Sequence, residues 1–146
     1  MDRTRLSQFW RKAWEDGLWA APWSKSLEGL TAAQAAWKPA PQRNSIWQIV
    51  GHMVFWREDA LARLTGKPKP TDEEIARLNF PQPAVPSELD WQSLKKRFAE
   101  SQRHIAAALA DPNANFERLQ YMLPHDCYHM GQINYLRAMQ GMAAIE

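Results

Sequence analysis

Four stretches of the chain repeat apolar residues at the three- and four-residue spacing of an amphipathic α-helix. In the first stretch the apolar residues near this spacing are Leu6, Phe9 or Trp10, Ala13 and Leu18, with charged residues between them. Gly17 weakens this pattern and Pro22 ends it. The spacing predicts helices within residues 1–20 and at 45–65, 90–110 and 116–139. Pro124 lies inside the last stretch and predicts a kink or a restart there.

Prolines separate the predicted helices. Residues 22–44 form a proline-containing connection with one short helical turn, and residues 66–86 hold five of the ten prolines. Capping-box pairs, in which a Ser or Thr precedes a Gln or Glu by three positions, predict where helices begin inside and after these connections. The pairs are Thr31 with Gln34, Ser45 with Gln48, and Thr71 with Glu74.

No segment shows the period-two alternation of a β-strand. Four long helices with one long crossover between the second and third predict an all-α fold, a four-helix bundle. At 146 residues the chain has the length of one domain, so we expect residues 1–146 to form a single bundle.

Composition narrows the function classes. Hydrophobic residues make up 45% and charged residues 23%, which is typical of a folded chain. The formal net charge of +2 is spread without a basic tract, so we expect no nucleic-acid partner. No apolar stretch is long enough for a membrane span, and the first residues do not resemble a signal peptide, so we expect a soluble, cytoplasmic protein. Cys127 is the single cysteine, which excludes an intrachain disulfide.

Three of the four histidines have a placement that suits metal binding. His125 and His129 are four residues apart, so their imidazoles share one face of the fourth helix. His52 borders the core stripe of the second helix and could complete a three-nitrogen site, because metal sites in bundles are built from facing helices. Three histidines with an open position are typical of a catalytic zinc site. The alternative interpretation is that all three are core histidines with ordinary hydrogen bonds.

Other residues are candidates for the surroundings of this site. Gln132 follows His129 by one turn and could orient a ligand, and Asp59 could accept a hydrogen bond from an imidazole N–H. Trp56, one turn from His52, is expected to cover the site. Cys127 lies on another side of its helix and is interpreted as a buried or interface thiol. We expect most of the eight tryptophans to be in the core or at a dimer interface.

The sequence resembles the DinB/YfiT-like superfamily from about Leu30 to Gly141. The resemblance rests on the segments LTAAQAAWKPAPQRN, SIWQIVGHMVFWREDALARLTGKP and HDCYHMGQINYLRAMQG. Its most specific element is the spacing His-x-x-x-His-x-Gly-Gln. Members of this superfamily are four-helix bundles that hold a divalent metal with one histidine on helix two and two on helix four. The resemblance therefore implies His52, His125 and His129 as ligands, with Zn²⁺ or Ni²⁺ as the expected ion and Fe or Mn as alternatives.

The resemblance also implies an activity. Known activities in the superfamily include transfer and isomerisation that depend on bacillithiol, mycothiol or glutathione. We therefore expect a metal-dependent thiol S-transferase or hydrolase, with a small-molecule thiol and an electrophile as substrates, and a homodimer. No catalytic residue beyond the ligands is identified. The alternatives are a non-enzymatic metal- or ligand-binding stress-response bundle with a structural ion, and a helical interaction protein without metal.

Overall fold

The computed structural model describes residues 1–145, and in this part of the chain all regular structure is helical. The α-helices, numbered in chain order, are α1 (Arg3–Glu15), α2 (Ala32–Ala36), α3 (Ile46–Leu64), α4 (Asp72–Leu78), α5 (Glu88–Ala110) and α6 (Met122–Met139). A single 3₁₀ turn, Leu119–Tyr121, precedes α6. The predicted all-α bundle is confirmed: α1, α3, α5 and α6 are its four long helices, and α4 lies in the crossover.

The capping residues set where the helices begin. Thr31, Ser45 and Thr71 each accept a hydrogen bond from the backbone N–H three residues later, and the side chain at that later position accepts from the backbone N–H of the cap. These reciprocal bonds satisfy amide groups that have no partner inside the helix. The start of α3 is therefore fixed at Ile46, which determines the face on which His52 lies.

The last long helix differs from its predicted bounds. It begins at Met122 after the 3₁₀ turn, not at Phe116. Pro124 is its third residue, where a backbone N–H would have no intrahelical acceptor, so the proline needs neither a kink nor a restart. His125 and His129 consequently lie on one uninterrupted helix.

The core lies between α3 and the helices that surround it. Its largest fully buried side chains include Trp10 of α1, Met53 of α3, and Trp91 and Phe98 of α5. The buried indole N–H groups have partners: Trp10 donates to the Gln102 carbonyl at 3.1 Å and Trp91 to the Leu30 carbonyl at 2.9 Å. Trp19 is not part of this core, because its side chain is fully exposed in the single chain.

The end of the crossover is held against α3. Gln48 donates to the Phe80 carbonyl at 3.2 Å, and the Ser45 hydroxyl donates to Gln82 at 2.8 Å. Pro81 packs so closely on Gly51 that a Cβ at this glycine would lie 2.5 Å from the proline Cγ. These contacts bring the residues just after α4 next to His52.

No helix within residues 1–145 combines the length and the apolar character that crossing a bilayer requires.

Candidate metal centre

The three predicted histidines lie together. His52 comes from α3, and His125 and His129 come from α6, and one ring nitrogen of each lies within 4.8 Å of those of the other two. His52 Nε2 is 3.0 Å from His125 Nε2. The rings of His129 and His52 are 4.6 Å apart between centroids and lie edge to face. Within residues 1–145 this is the cluster whose donor atoms could hold one metal ion.

Each histidine has an oxygen partner at Nδ1. His52 Nδ1 lies 2.7 Å from Asn79 Oδ1, His125 Nδ1 lies 2.8 Å from Asp126 Oδ1, and His129 Nδ1 lies 2.7 Å from Gln132 Oε1. An oxygen acceptor at Nδ1 fixes the proton there and leaves Nε2 as a free electron-pair donor. Such oxygen partners are the usual companions of histidines that bind metals, because they set the tautomer and the ring orientation.

The cluster is largely buried, and burial favours the neutral form of His52 and of His129. Burial lowers the pKa of His52 to about 4, against the hydrogen bond that His52 donates to Asn79, which raises it. Burial also lowers the pKa of His129. Neutral imidazole is the form that binds a metal. His125 is the most open of the three, with a side chain 26% exposed, so the cluster is reached from its side.

His52 Nε2 and His125 Nε2 face each other at 3.0 Å, and an oxygen lies within hydrogen-bond distance of the Nδ1 of each ring. If each Nδ1 carries its proton, the two Nε2 lone pairs repel unless a cation lies between them, and burial disfavours a proton on His52. In a tetrahedral site with Zn–N bonds of 2.0–2.1 Å the ligand nitrogens are about 3.3 Å apart. The separation of these two ring nitrogens is close to that value, and the donor set therefore fits a divalent transition metal.

The structure places the other predicted site residues as follows. Gln132 bonds His129, and its amide Nε2 also donates to the Tyr128 hydroxyl at 3.1 Å. The ring of Trp56 meets that of His52 edge-on, with 6.5 Å between centroids. Asp59 does not join the cluster: its carboxylate is 3.8 Å from Arg63, and Asn79 occupies the position beside His52 that Asp59 was expected to take.

Three contributors to the centre were missed in the sequence. Asn79 and Phe80 follow α4, and Phe80 stacks on His52 with 4.1 Å between ring centroids. Nothing in the sequence indicates that this part of the crossover returns to α3. Asp126 had a recognisable signal, because a carboxylate directly follows His125 and its oxygen is a typical acceptor for a ligating imidazole.

Cys127 is outside the donor set. It is exposed in the single chain, so of the two predicted alternatives, a buried or an interface thiol, the buried one is wrong for the protomer. Partial burial of the sulfur and the neighbouring Asp126 carboxylate raise the pKa of the thiol. A raised pKa reduces the thiolate fraction at neutral pH, which opposes a role as nucleophile.

A groove adjoins the centre one helical turn away. Ile49 of α3 and Gln132 of α6 lie in its walls, each three residues from a histidine of the cluster, together with Arg43, Asn44 and Leu136. Its volume is about 460 Å³. Arg43 forms no ion pair with any of residues 1–145, so the groove has a free positive charge at its rim.

An all-helical bundle with a three-histidine cluster between two of its long helices defines a class of candidate metal-binding bundles. The sequence profile of the DinB superfamily matches residues 20–143 of the chain. The chain belongs to the DinB superfamily. No curated protein and no solved structure matches it significantly.

Proposed function

We propose that the chain binds one divalent metal ion, Zn²⁺ or Ni²⁺, through His52, His125 and His129, and that it is a thiol-dependent transferase. The observation that carries the proposal is shared by the three rings: each has an oxygen partner at Nδ1, and one ring nitrogen of each lies within 4.8 Å of those of the other two. Borderline nitrogen donors of this kind suit Zn²⁺ and Ni²⁺. Membership of the DinB superfamily supports the same conclusion.

A metal ion at this position, when bound, would lower the pKa of a thiol and keep it as the nucleophilic thiolate at neutral pH. The residues around the cluster favour thiol chemistry over hydrolysis. The carboxylate that contacts the cluster, Asp126, is fully buried and paired with Arg57, so it is not available to take a proton from water. A thiol that already ionises near neutral pH needs no such base.

The walls of the site suit an electrophile with an apolar part and a thiol with an anionic part. Phe80 and Trp56 supply aromatic surface beside His52. Arg43 supplies a positive charge at the rim of the adjoining groove, which complements the carboxylates of thiols such as glutathione. The hydrogen bond from His129 to Gln132 links that groove to the cluster.

Metal analysis tests the site. Protein purified without chelator or affinity tag is compared with a His125→Ala/His129→Ala double variant and with His104→Ala, which removes an exposed histidine outside the cluster. We expect near-stoichiometric metal in the parent and in His104→Ala, and none in the double variant. A parent that contains no metal and takes up no added Zn²⁺, Ni²⁺ or Mn²⁺ would contradict the site.

An activity screen tests the transferase. Metal-loaded protein is incubated with bacillithiol, mycothiol or glutathione and a panel of electrophiles, and loss of free thiol is measured against the double variant. We expect conjugation that depends on the metal. If the protein binds metal but no thiol is consumed with any electrophile, the transferase proposal is wrong while the metal site stands.

A structural ion is the second candidate. The cluster joins α3 and α6, and through Asn79 it also joins the crossover, so an ion there would connect three parts of the fold. For this candidate we expect metal removal to lower the melting temperature strongly, with no thiol consumption in the activity screen. A melting temperature unchanged by metal removal would exclude it.

A further inference from the structure

Arg137 of α6 is buried without an acidic partner. The residue is only 5% exposed, yet no carboxylate within residues 1–145 forms an ion pair with it. Arg57, the fully buried arginine of α3, has Asp126 at 2.7 Å. Burial lowers the pKa of the Arg137 guanidinium, because a charge is costly to remove from water. Arg137 therefore lacks the anion that a buried guanidinium normally has beside it.

One edge of the Arg137 guanidinium is used by the fold and another is not. Nη1 donates to the backbone carbonyls of Glu28 at 2.7 Å and Ser26 at 3.3 Å, which fixes the group against the connection between α1 and α2. Nε is buried and has no hydrogen-bond partner within residues 1–145. Because Nε and Nη2 together form an edge that binds a carboxylate through two parallel hydrogen bonds, this edge is in position to bind one.

A second buried polar atom without a partner lies one turn away. Asn134 precedes Arg137 by three residues on α6, and its Oδ1 also has no hydrogen-bond partner in the described part of the chain. Both residues border the same cavity, whose volume is about 470 Å³. Buried polar atoms nearly always have partners in native proteins. Two such atoms in one cavity indicate a ligand that supplies an acceptor to Arg137 and a donor to Asn134.

The remaining walls of the cavity are mostly apolar. One wall is the segment after α6, which turns back because Gly141 has a φ angle of 72° and the Met142 N–H donates to the Arg137 carbonyl at 3.2 Å. This segment contributes Met142 and Ile145. The small residues of the lining are Ala20, Ala21, Ala138, Ala143 and Ala144. Among the described residues that border the cavity Arg137 alone is charged, so the site suits a ligand with a single negative charge.

Trp19 supplies an aromatic surface at the rim of the cavity. Its side chain borders the cavity and is 103% exposed, so its indole is free to stack on a ring of a ligand. The turn before it is strained. Gly17 has a φ angle of 75° and a Cβ there would lie 1.9 Å from the Ala20 carbonyl oxygen, and Leu18 has a φ angle of 60°. Leucine rarely adopts this left-handed conformation, and such strain is concentrated at ligand sites and switches.

From these relationships we propose that the cavity between the Trp19 turn and α6 binds a small aromatic carboxylic acid with a hydroxyl group next to the carboxylate. The carboxylate bonds the Nε edge of Arg137, the hydroxyl donates to Asn134, and the ring lies against Trp19. An amino group in place of the hydroxyl is disfavoured, because an ammonium would face the guanidinium. Asn134 and Arg137 lie on another side of α6 than His125 and His129, so the proposal does not depend on the metal centre.

Isothermal titration calorimetry with phenyllactate tests the chemistry of the site. Two analogues separate its parts: phenyllactamide lacks the charge, and phenylpropionate lacks the hydroxyl. We expect saturable binding of one phenyllactate per chain, about tenfold or more weaker binding of phenyllactamide, and roughly three- to tenfold weaker binding of phenylpropionate. The proposal would be overturned if phenyllactate showed no saturable binding at millimolar concentrations, or if the acid and its amide bound equally.

Variants test whether the acid binds in this cavity. Arg137→Gln removes the charge, Trp19→Ala removes the ring, and Ala138→Leu fills the cavity from an exposed position. We expect affinity to fall about tenfold or more in Arg137→Gln and Ala138→Leu, and about three- to tenfold in Trp19→Ala. Arg118→Gln, which changes an exposed arginine elsewhere, should bind as the parent does. Circular dichroism checks folding, and the Trp19 and Ala138 variants decide the question even if Arg137→Gln does not fold. Unchanged affinity in both of them would overturn the proposal.

Two further variants separate this cavity from other places that bind carboxylates. A hydroxy acid chelates metal ions, and Arg43 offers a positive charge in the groove beside Gln132. The titration is therefore repeated with His125→Ala/His129→Ala and with Arg43→Ala. We expect both proteins to bind phenyllactate with the affinity of the parent. Loss of binding in either one would place the acid at the metal centre or in the groove, and the cavity proposal would then be wrong.

Discussion

Arg57 Nε donates to Asp126 Oδ2 at 2.7 Å, and both side chains are fully buried. The other oxygen of the same carboxylate accepts from His125 Nδ1 at 2.8 Å, so one aspartate connects the core to the candidate metal centre. Arg57 is itself held by the rings of Trp10 and Phe98, whose centroids are 4.9 and 4.3 Å from its Cζ. The orientation of His125 thus depends on packing deep inside the bundle.

Asp126→Asn tests this connection. The amide keeps the size of the side chain but removes the charge, so Arg57 remains buried without its counterion and His125 loses a strong acceptor. We expect the free energy of unfolding to fall by about 3–5 kcal/mol and metal affinity to fall roughly 10- to 100-fold. Chemical denaturation and metal-competition titration measure the two effects. Asp59→Asn, which changes a carboxylate outside the cluster, is the control, and equal metal affinity in Asp126→Asn and the parent would contradict the role of Asp126.

Asn79→Ala tests the acceptor on the crossover. Removal of the amide oxygen frees the Nδ1 proton of His52, so the ring is no longer fixed in the tautomer that binds metal. We expect metal affinity to fall about tenfold, and Asn79→Asp, which retains an oxygen, to preserve it. Asn113→Ala, at an exposed asparagine in the loop after α5, is the matched control. A loss of affinity in Asn79→Asp as large as in Asn79→Ala would show that the oxygen is not the important feature.

The helices could be predicted from the sequence because the information is local. Apolar spacing and capping boxes at Thr31, Ser45 and Thr71 act within one or two turns, and each capping box is present in the structure. Pro124 was misinterpreted because its effect depends on where the helix begins: in the first turn a proline removes no hydrogen bond. That start is set by the preceding 3₁₀ turn, whose signal in the sequence is weak.

Only part of the candidate centre could be predicted, because some of its residues are brought together by contacts that are distant in the sequence. The His125–His129 spacing is local, and the position of His52 on the core face of α3 follows from helical periodicity. Asn79 and Phe80 reach His52 through a crossover whose path is determined by Ser45, Gln48 and Gly51, far away in the sequence. Arg57 is an exception to the usual exclusion of charge from a core, and only the packed structure reveals its partner.

Gly51→Ala tests how the crossover is positioned. The added Cβ would lie 2.5 Å from Pro81 Cγ and 2.8 Å from its Cδ, and a proline ring cannot rotate away. We expect the crossover to shift and the free energy of unfolding to fall by about 1–3 kcal/mol, with weaker metal binding because Asn79 and Phe80 move with Pro81. Denaturation and metal titration measure both effects. In Gly51→Ala/Pro81→Ala the clash is relieved, so the double variant should recover most of the loss. No recovery would mean that the contact is not what holds the crossover.

Arg43→Ala tests how the proposed transferase selects its thiol. Arg43 borders the groove beside Gln132, where its charge complements a carboxylate of the thiol substrate. An exposed ion pair contributes about 1 kcal/mol, so we expect kcat/KM with glutathione to fall about three- to tenfold. With uncharged 2-mercaptoethanol we expect kcat/KM to stay unchanged. Arg43→Lys retains the charge and should lose less than Arg43→Ala. Metal content must be equal in all three proteins. If kcat/KM fell equally with both thiols, Arg43 would contribute to the shape of the groove and not to the recognition of charge.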